Sequence, residues 1–173
     1  MACLTISDNG YIQPNSKWMA DMTEVNNFLF ITMPQETDNG ARVGSEEVLE
    51  RRLSENRWAV YSKTRNKTAI SPGDNAVFYI SNRKTGGLIS ATATIKEILK
   101  PEKNKYYLEE HGPVEYFLSF ENLSKLSRPI LFKSLLEQFT FCPQNKQKWG
   151  VALMGGIRRL NDTDYQLIKK QIQ

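Results

Sequence analysis

Residues 75–99 read NAVFYIS, NRKTGG, LISATATIKEIL. An apolar run of strand length is followed by a short Gly-rich turn and a second long run. Within the second run Ile89, Ala91, Ala93 and Ile95 alternate with Ser90, Thr92, Thr94 and Lys96. That is the period of a half-buried strand, so the segment predicts a β-hairpin. A fold for this chain has to be built around that hairpin. Other strand-length runs are Phe28 to Met33, stopped by Pro34, then RWAVY at 57–61, PVEYFLSFEN at 113–122 and a brief strand inside KWGVALMGGIRRL. Pro72-Gly73-Asp74 supplies a turn between the second run and the hairpin.

Helical patterns are few. SEEVLERRLSEN begins with Ser45 as an expected cap and carries acids in its first turn, with Val48, Leu49 and Leu53 as a narrow buried stripe. LFKSLLEQFTF reads as a short helix. NDTDYQLIKKQI closes the chain as a helix, with Asn161 as cap, Asp164 three residues later, and Lys169 and Lys170 in the last turns. About five strands with hairpins and long excursions predict an α+β fold, a small, strongly curved mixed β-sheet or barrel with peripheral helices. Strands and helices do not alternate regularly, which argues against a doubly wound sheet.

The 173 residues suit one domain with a short appendage. Residues 1–24 are polar and aperiodic and read as a flexible N-terminal extension, with Trp18 as a docking anchor and with room for a protein partner; 25–173 read as the folded domain. The net charge is only +4, but its distribution is uneven. Arg57, Lys63, Arg65 and Lys67 form one acid-free run, and Lys146, Lys148, Arg158 and Arg159 another. Brought together they make one positive face, which suits a polyanion. Cys3, Cys142 and His111 are too few and too scattered for a tetrahedral metal site, and nothing points to a cofactor. No apolar segment is long enough to cross a bilayer, so an intracellular protein is expected, cytoplasmic or, in a eukaryote, nuclear.

Three segments resemble the EVE domain, a PUA-like family related to YTH domains. They are NFLFITMP; RWAVYSKTRN followed by ISPGDNAVFYIS; and FKSLLEQFTFCPQNKQKWGVALMGGIRRLNDTDYQLI. The resemblance covers roughly residues 26–172. The chain departs from the family pattern at Ala59, Tyr61 and Met33. The resemblance implies a reader rather than a catalyst: a module that takes a flipped, modified base of DNA or RNA into an aromatic pocket within a basic surface. The residues agree in kind. An extruded base needs a flat surface to replace lost stacking, polar groups to read its edge, and cations for its phosphates.

On this reading Trp58 and Trp149 are the walls, with Thr32, Ser62 and Asn66 at the base edge. Lys63, Arg65, Arg158 and Arg159 hold phosphates, and Met33, Tyr79, Met154 and Gly155 complete the surroundings. Each has an ordinary alternative. Trp58 shares a face with Val60 and suits a core, and Trp149 suits a barrel plug. Tyr79 and Met33 suit a core, Thr32 a turn, and Asn66 its own loop. The Leu-Met-Gly-Gly turn at 153–156 suits either close approach to a ligand or a tight barrel corner. Tyr106 or Tyr107 is a candidate further wall. A rival function uses the same pocket for a nucleotide-like small molecule or a peptide. Enzyme readings lack parts: His111 has no nucleophile partner, Cys142 reads as a small buried group, and no phosphate-binding loop or carboxylate pair is present.

Overall fold

In chain order the elements are β1 (Asn27–Thr32), β2 (Gln35–Glu36), β3 (Arg42–Val43), α1 (Ser45–Ser54), β4 (Trp58–Tyr61), β5 (Asn75–Ile80), β6 (Leu88–Leu99), β7 (Tyr107–Leu108), β8 (Gly112–Leu131), β9 (Ile157–Leu160) and α2 (Asp162–Ile172). The computed structural model describes residues 24–36, 39–82, 84–101, 107–108 and 112–172. Cys3, Trp18, Tyr106 and His111 lie outside the described residues, and with them the roles expected of the N-terminal extension. Of Tyr107 only the backbone is described.

The main sheet runs β4-β8-β6-β5-β1-β9, with β7 added to β8, and β2 and β3 form a separate two-stranded ribbon. β1 and β5 are parallel, and the other pairs are antiparallel. The expected hairpin is β5–β6, in register from Asn75↔Thr94 to Ile80↔Leu88 with one shift after Phe78. Every residue of β1 is buried, because apolar layers cover both faces of this inner strand. Phe28 and Phe30 enter a core shared with Leu49 and Leu53 of α1, Trp58 and Val60 of β4, and Phe78 and Phe120. Leu29 and Ile31 enter a second core with Tyr79, Phe132, Phe139 and, from α2, Ile168.

β4 and β9 are opposite ends of this strand order, yet they meet. The Arg65 N–H donates to the Gly155 carbonyl (3.0 Å). The Asn66 side-chain amide donates to the Ile157 carbonyl (2.9 Å). The sheet therefore curls into a half-barrel whose two edges are joined by the loop after β4 and the turn before β9.

Local differences from the sequence reading have physical reasons. PVEYFLSFEN lies within the longer β8, which continues past Asn122, a residue at positive φ (53°), through register shifts against β6. LFKSLLEQFTF forms only a 3₁₀ turn, Phe132–Leu135, because Phe132, Leu135, Leu136 and Phe139 plug the second core. Residues Lys146–Leu153 are also 3₁₀ rather than strand, and β9 starts only after Gly155 and Gly156, both at positive φ. Gly44 takes the cap position of α1, while the Ser45 hydroxyl donates to the Ser81 carbonyl (2.9 Å). Asn161 caps α2 as expected, accepting from the Asp164 N–H (2.8 Å). The buried Asp164 carboxylate accepts from the Thr140 N–H (2.7 Å) and hydroxyl (2.8 Å).

Candidate nucleic-acid interface

The end of β1, the loop after β4 and the turn before β9 converge. The Ile31 N–H donates to the Gly156 carbonyl (2.9 Å). That places the 154–156 turn along the end of β1, with Met33 two residues beyond the bond and Met154 two residues before it. The Arg65 side chain packs on Gly155, whose φ is +100°; a Cβ there would lie 2.5 Å from Arg65 Cδ. Gly155 is thus required both for its backbone conformation and for this close approach. Thr64 folds the loop back by accepting from the Tyr61 N–H (3.0 Å). Ser62 donates its N–H to the Pro113 carbonyl (2.9 Å).

Of the residues picked from sequence, Thr32, Met33, Ser62, Lys63, Arg65, Asn66, Met154 and Gly155 are gathered at this junction. Lys63 and Arg65 are exposed. Met33 and Met154 are 56% and 61% exposed, unusually open for large apolar side chains. Thr32 is fully buried, and among the described residues its Oγ1 has no hydrogen-bond partner. A buried hydroxyl without a partner is costly and calls for an explanation, and Ser90 and Ser119 carry two more away from this junction.

Other expectations are corrected. Trp58 is 3% exposed and is not a pocket wall. It packs against Phe30 edge-on at 5.2 Å and against Phe78 at 5.7 Å, because α1 covers the concave face it shares with Val60. Tyr79 is a core residue of the second cluster, edge-on to Phe132 at 5.0 Å. Trp149 packs 5.5 Å from Phe132 against that same cluster, so its plug reading is the one the packing matches. Asn66 takes a left-handed conformation (φ 58°), and its amide is engaged by the Ile157 carbonyl; it joins the two edges of the sheet.

The two basic runs touch where Arg65 packs on Gly155, but several of their cations are engaged elsewhere. Arg158 lies over Phe141 at 5.4 Å. Arg158 and Arg159 pair with Leu29 and Phe28 and line a cleft of about 450 Å³ with Asn26, Thr140, Phe141 and Asn161, toward the start of β1. Arg57 lies over Phe117 at 3.8 Å. Lys67 is ion-paired with Glu115 and donates to the Ser62 carbonyl (2.6 Å). The first run is acid-free in sequence but not in space.

A family model for the EVE domain matches residues 26–171. The chain belongs to the EVE domain family. No curated protein sequence matches it. Solved structures with a similar fold include human THYN1 in complex with DNA containing 5-methylcytosine (17% identity, TM-score 0.51, covering 86% of this chain and 98% of that one). The DUF55 domain of human thymocyte nuclear protein 1 is also similar (18%, TM-score 0.53, 85% and 98%). So is a protein of Agrobacterium tumefaciens (13%, TM-score 0.53, 85% and 92%). At these identities the likeness is one of fold, the same curled mixed sheet.

Beside Trp58 this EVE domain places a pair, Arg52 and Tyr61, that the sequence reading did not single out as site residues. The Arg52 guanidinium lies over the Trp58 ring, 4.4 Å from its centroid. Burial lowers its pKa, and the neighbouring Tyr61 opposes that shift. The Tyr61 phenol is raised by burial and partly brought back by Arg52. Among the described residues no carboxylate pairs with Arg52. A signal was available: Arg52 falls three and four residues after Leu49 and Val48, on the apolar stripe of α1, where a solvated arginine does not belong. Among the described residues no group of three or more His, Cys, Asp or Glu side chains is placed to hold a metal ion, and no helix is long and apolar enough to cross a membrane.

Proposed function

We propose that this EVE domain is a nucleic-acid reader that captures a flipped, modified base at the junction of β1, the loop after β4 and the turn before β9. Residues 25–173 form the reading domain and 1–24 an extension to it. The observation that carries the reading is the convergence itself. Segments distant in sequence bring two exposed cations, two exposed methionines and a buried, unpartnered hydroxyl to one place. Lys63 and Arg65 neutralise phosphates flanking the base. Met33 and Met154 supply a soft apolar surface that adapts to a ring. Ser62 hydrogen-bonds its edge. A fold neighbour was solved with DNA containing 5-methylcytosine, which makes that base the first to test. The reading is of binding, not turnover.

The test is a titration of methylated and unmethylated DNA and RNA oligonucleotides over a range of salt. Tighter binding of one modified oligonucleotide is expected, with affinity falling as salt rises. The Lys63→Ala, Arg65→Ala double variant is expected to reduce the slope of log affinity against log salt by about two. No binding, or binding blind to the modification, overturns the reading. Salt-independent binding of a free nucleotide-like molecule favours the small-ligand rival instead.

A further inference from the structure

We infer that Arg52 carries the flat surface on which the captured base stacks, as an extension of the buried Trp58. This rests on the reader function proposed above and names the residue that replaces the expected tryptophan wall. Trp58 is sealed in the core, so no ligand reaches its ring directly. Lying over that ring is a planar, delocalised cation that is mostly, though not wholly, buried. A guanidinium offers two faces. One is taken by the indole. The Tyr61 phenol is an electrostatic neighbour of the group, and among the described residues no carboxylate is paired with it.

An arginine held this way is pre-organised, since the indole fixes its plane before a ligand arrives. Nucleobases stack on guanidinium planes as they do on aromatic rings. Its N–H groups lie in the same plane and donate to carbonyl or phosphate oxygens at the margin of a stacked ring. Its location is consistent with this. Arg51, one residue earlier, donates to the Gln35 side chain (3.1 Å), two residues past Met33. Arg52 itself neighbours Tyr61, which leads directly into Ser62 and Lys63. The end of α1 thus borders the junction on a further side, and the ligand class that fits is a planar base carrying oxygen acceptors.

Lysine and methionine at position 52 separate this role from its rivals. Arg52→Lys keeps the charge and loses the plane; Arg52→Met keeps apolar cover and loses both. Each is titrated with oligonucleotides carrying one 5-methylcytosine and with their unmethylated counterparts, with intrinsic tryptophan fluorescence followed in parallel. Both variants are expected to lose affinity for the methylated oligonucleotide by about tenfold or more. The unmethylated oligonucleotide and the salt slope, which report phosphate contacts, are expected to change little. Wild-type fluorescence is expected to shift on binding. Melting curves establish that the variants fold, and if Arg52→Met does not, Arg52→Lys carries the test. Undiminished binding by a folded variant overturns the Arg52 assignment while leaving the reader function standing. Loss of the methylated and unmethylated oligonucleotides alike also overturns it, because it marks a general electrostatic role. Failure of the wild type to bind any oligonucleotide overturns the function itself, and this inference with it.

Discussion

Trp58 is ringed by Phe30 and Phe78, with Phe120 edge-on to both of those phenylalanines. Such a ring contributes through area and packing. Trp58→Ala is expected to cost about 3–5 kcal/mol of folding stability, read by denaturant unfolding, because the rigid neighbours cannot collapse into the space. A variant that unfolds at the wild-type midpoint would contradict the core placement. The alternation of Trp58 with Val60 already pointed to this burial. The expectation of a wall came from the family pattern, and the residues themselves could not say which face of β4 would be covered, since that depends on how α1 docks. Arg52 was hidden for a related reason. In Glu-Arg-Arg-Leu it looks like a solvated helix face, and only its spacing from Val48 and Leu49 betrays an inward position.

At the scale of elements, the tie between the loop after β4 and the start of β9 does the most for the site. Ile157 is fully buried, so its carbonyl has no water to fall back on if the Asn66 amide is removed. Asn66→Ala is expected to destabilise the fold by about 1–3 kcal/mol. It is also expected to raise hydrogen exchange in the 62–66 loop and the 154–156 turn before the rest of the sheet responds. Equal protection in variant and wild type would show that the bond does not hold the junction. The hairpin β5–β6 was plain from alternation and its turn. So was the last helix, whose Asn161 cap is local chemistry. The full length of β8 was not, because its later residues are mostly polar and exposed, pair only with β6, and pass through Asn122 at positive φ. Alternation fails to report a strand with one uncovered edge and register shifts.

Over the whole molecule, buried phenols set how the protein meets alkali. Burial raises Tyr79 from 10.0 to about 12 and Tyr116 likewise, the latter helped by Glu115. Both raised groups keep their protons longer folded than unfolded. Their contribution is therefore complete below about pH 10 and is lost as pH climbs toward about 12. Tyr79, 2% exposed, dominates, since every tenfold loss of acidity on folding corresponds to about 1.4 kcal/mol. The half-buried Tyr116 counts for less. Chemical unfolding at rising pH is expected to show stability declining across that window, and Tyr79→Phe is expected to flatten the decline. Unchanged slopes in the variant would remove Tyr79 as the cause.

The Asn66–Ile157 bond also joins residues that are 91 positions apart. A growing polypeptide can pair the hairpin early and tie the start of its basic loop to β8, but Arg65 and Asn66 meet their partners, and the first core gains Ile157, only once β9 has left the ribosome. The junction is therefore assembled late in synthesis, after every strand it draws on has been made.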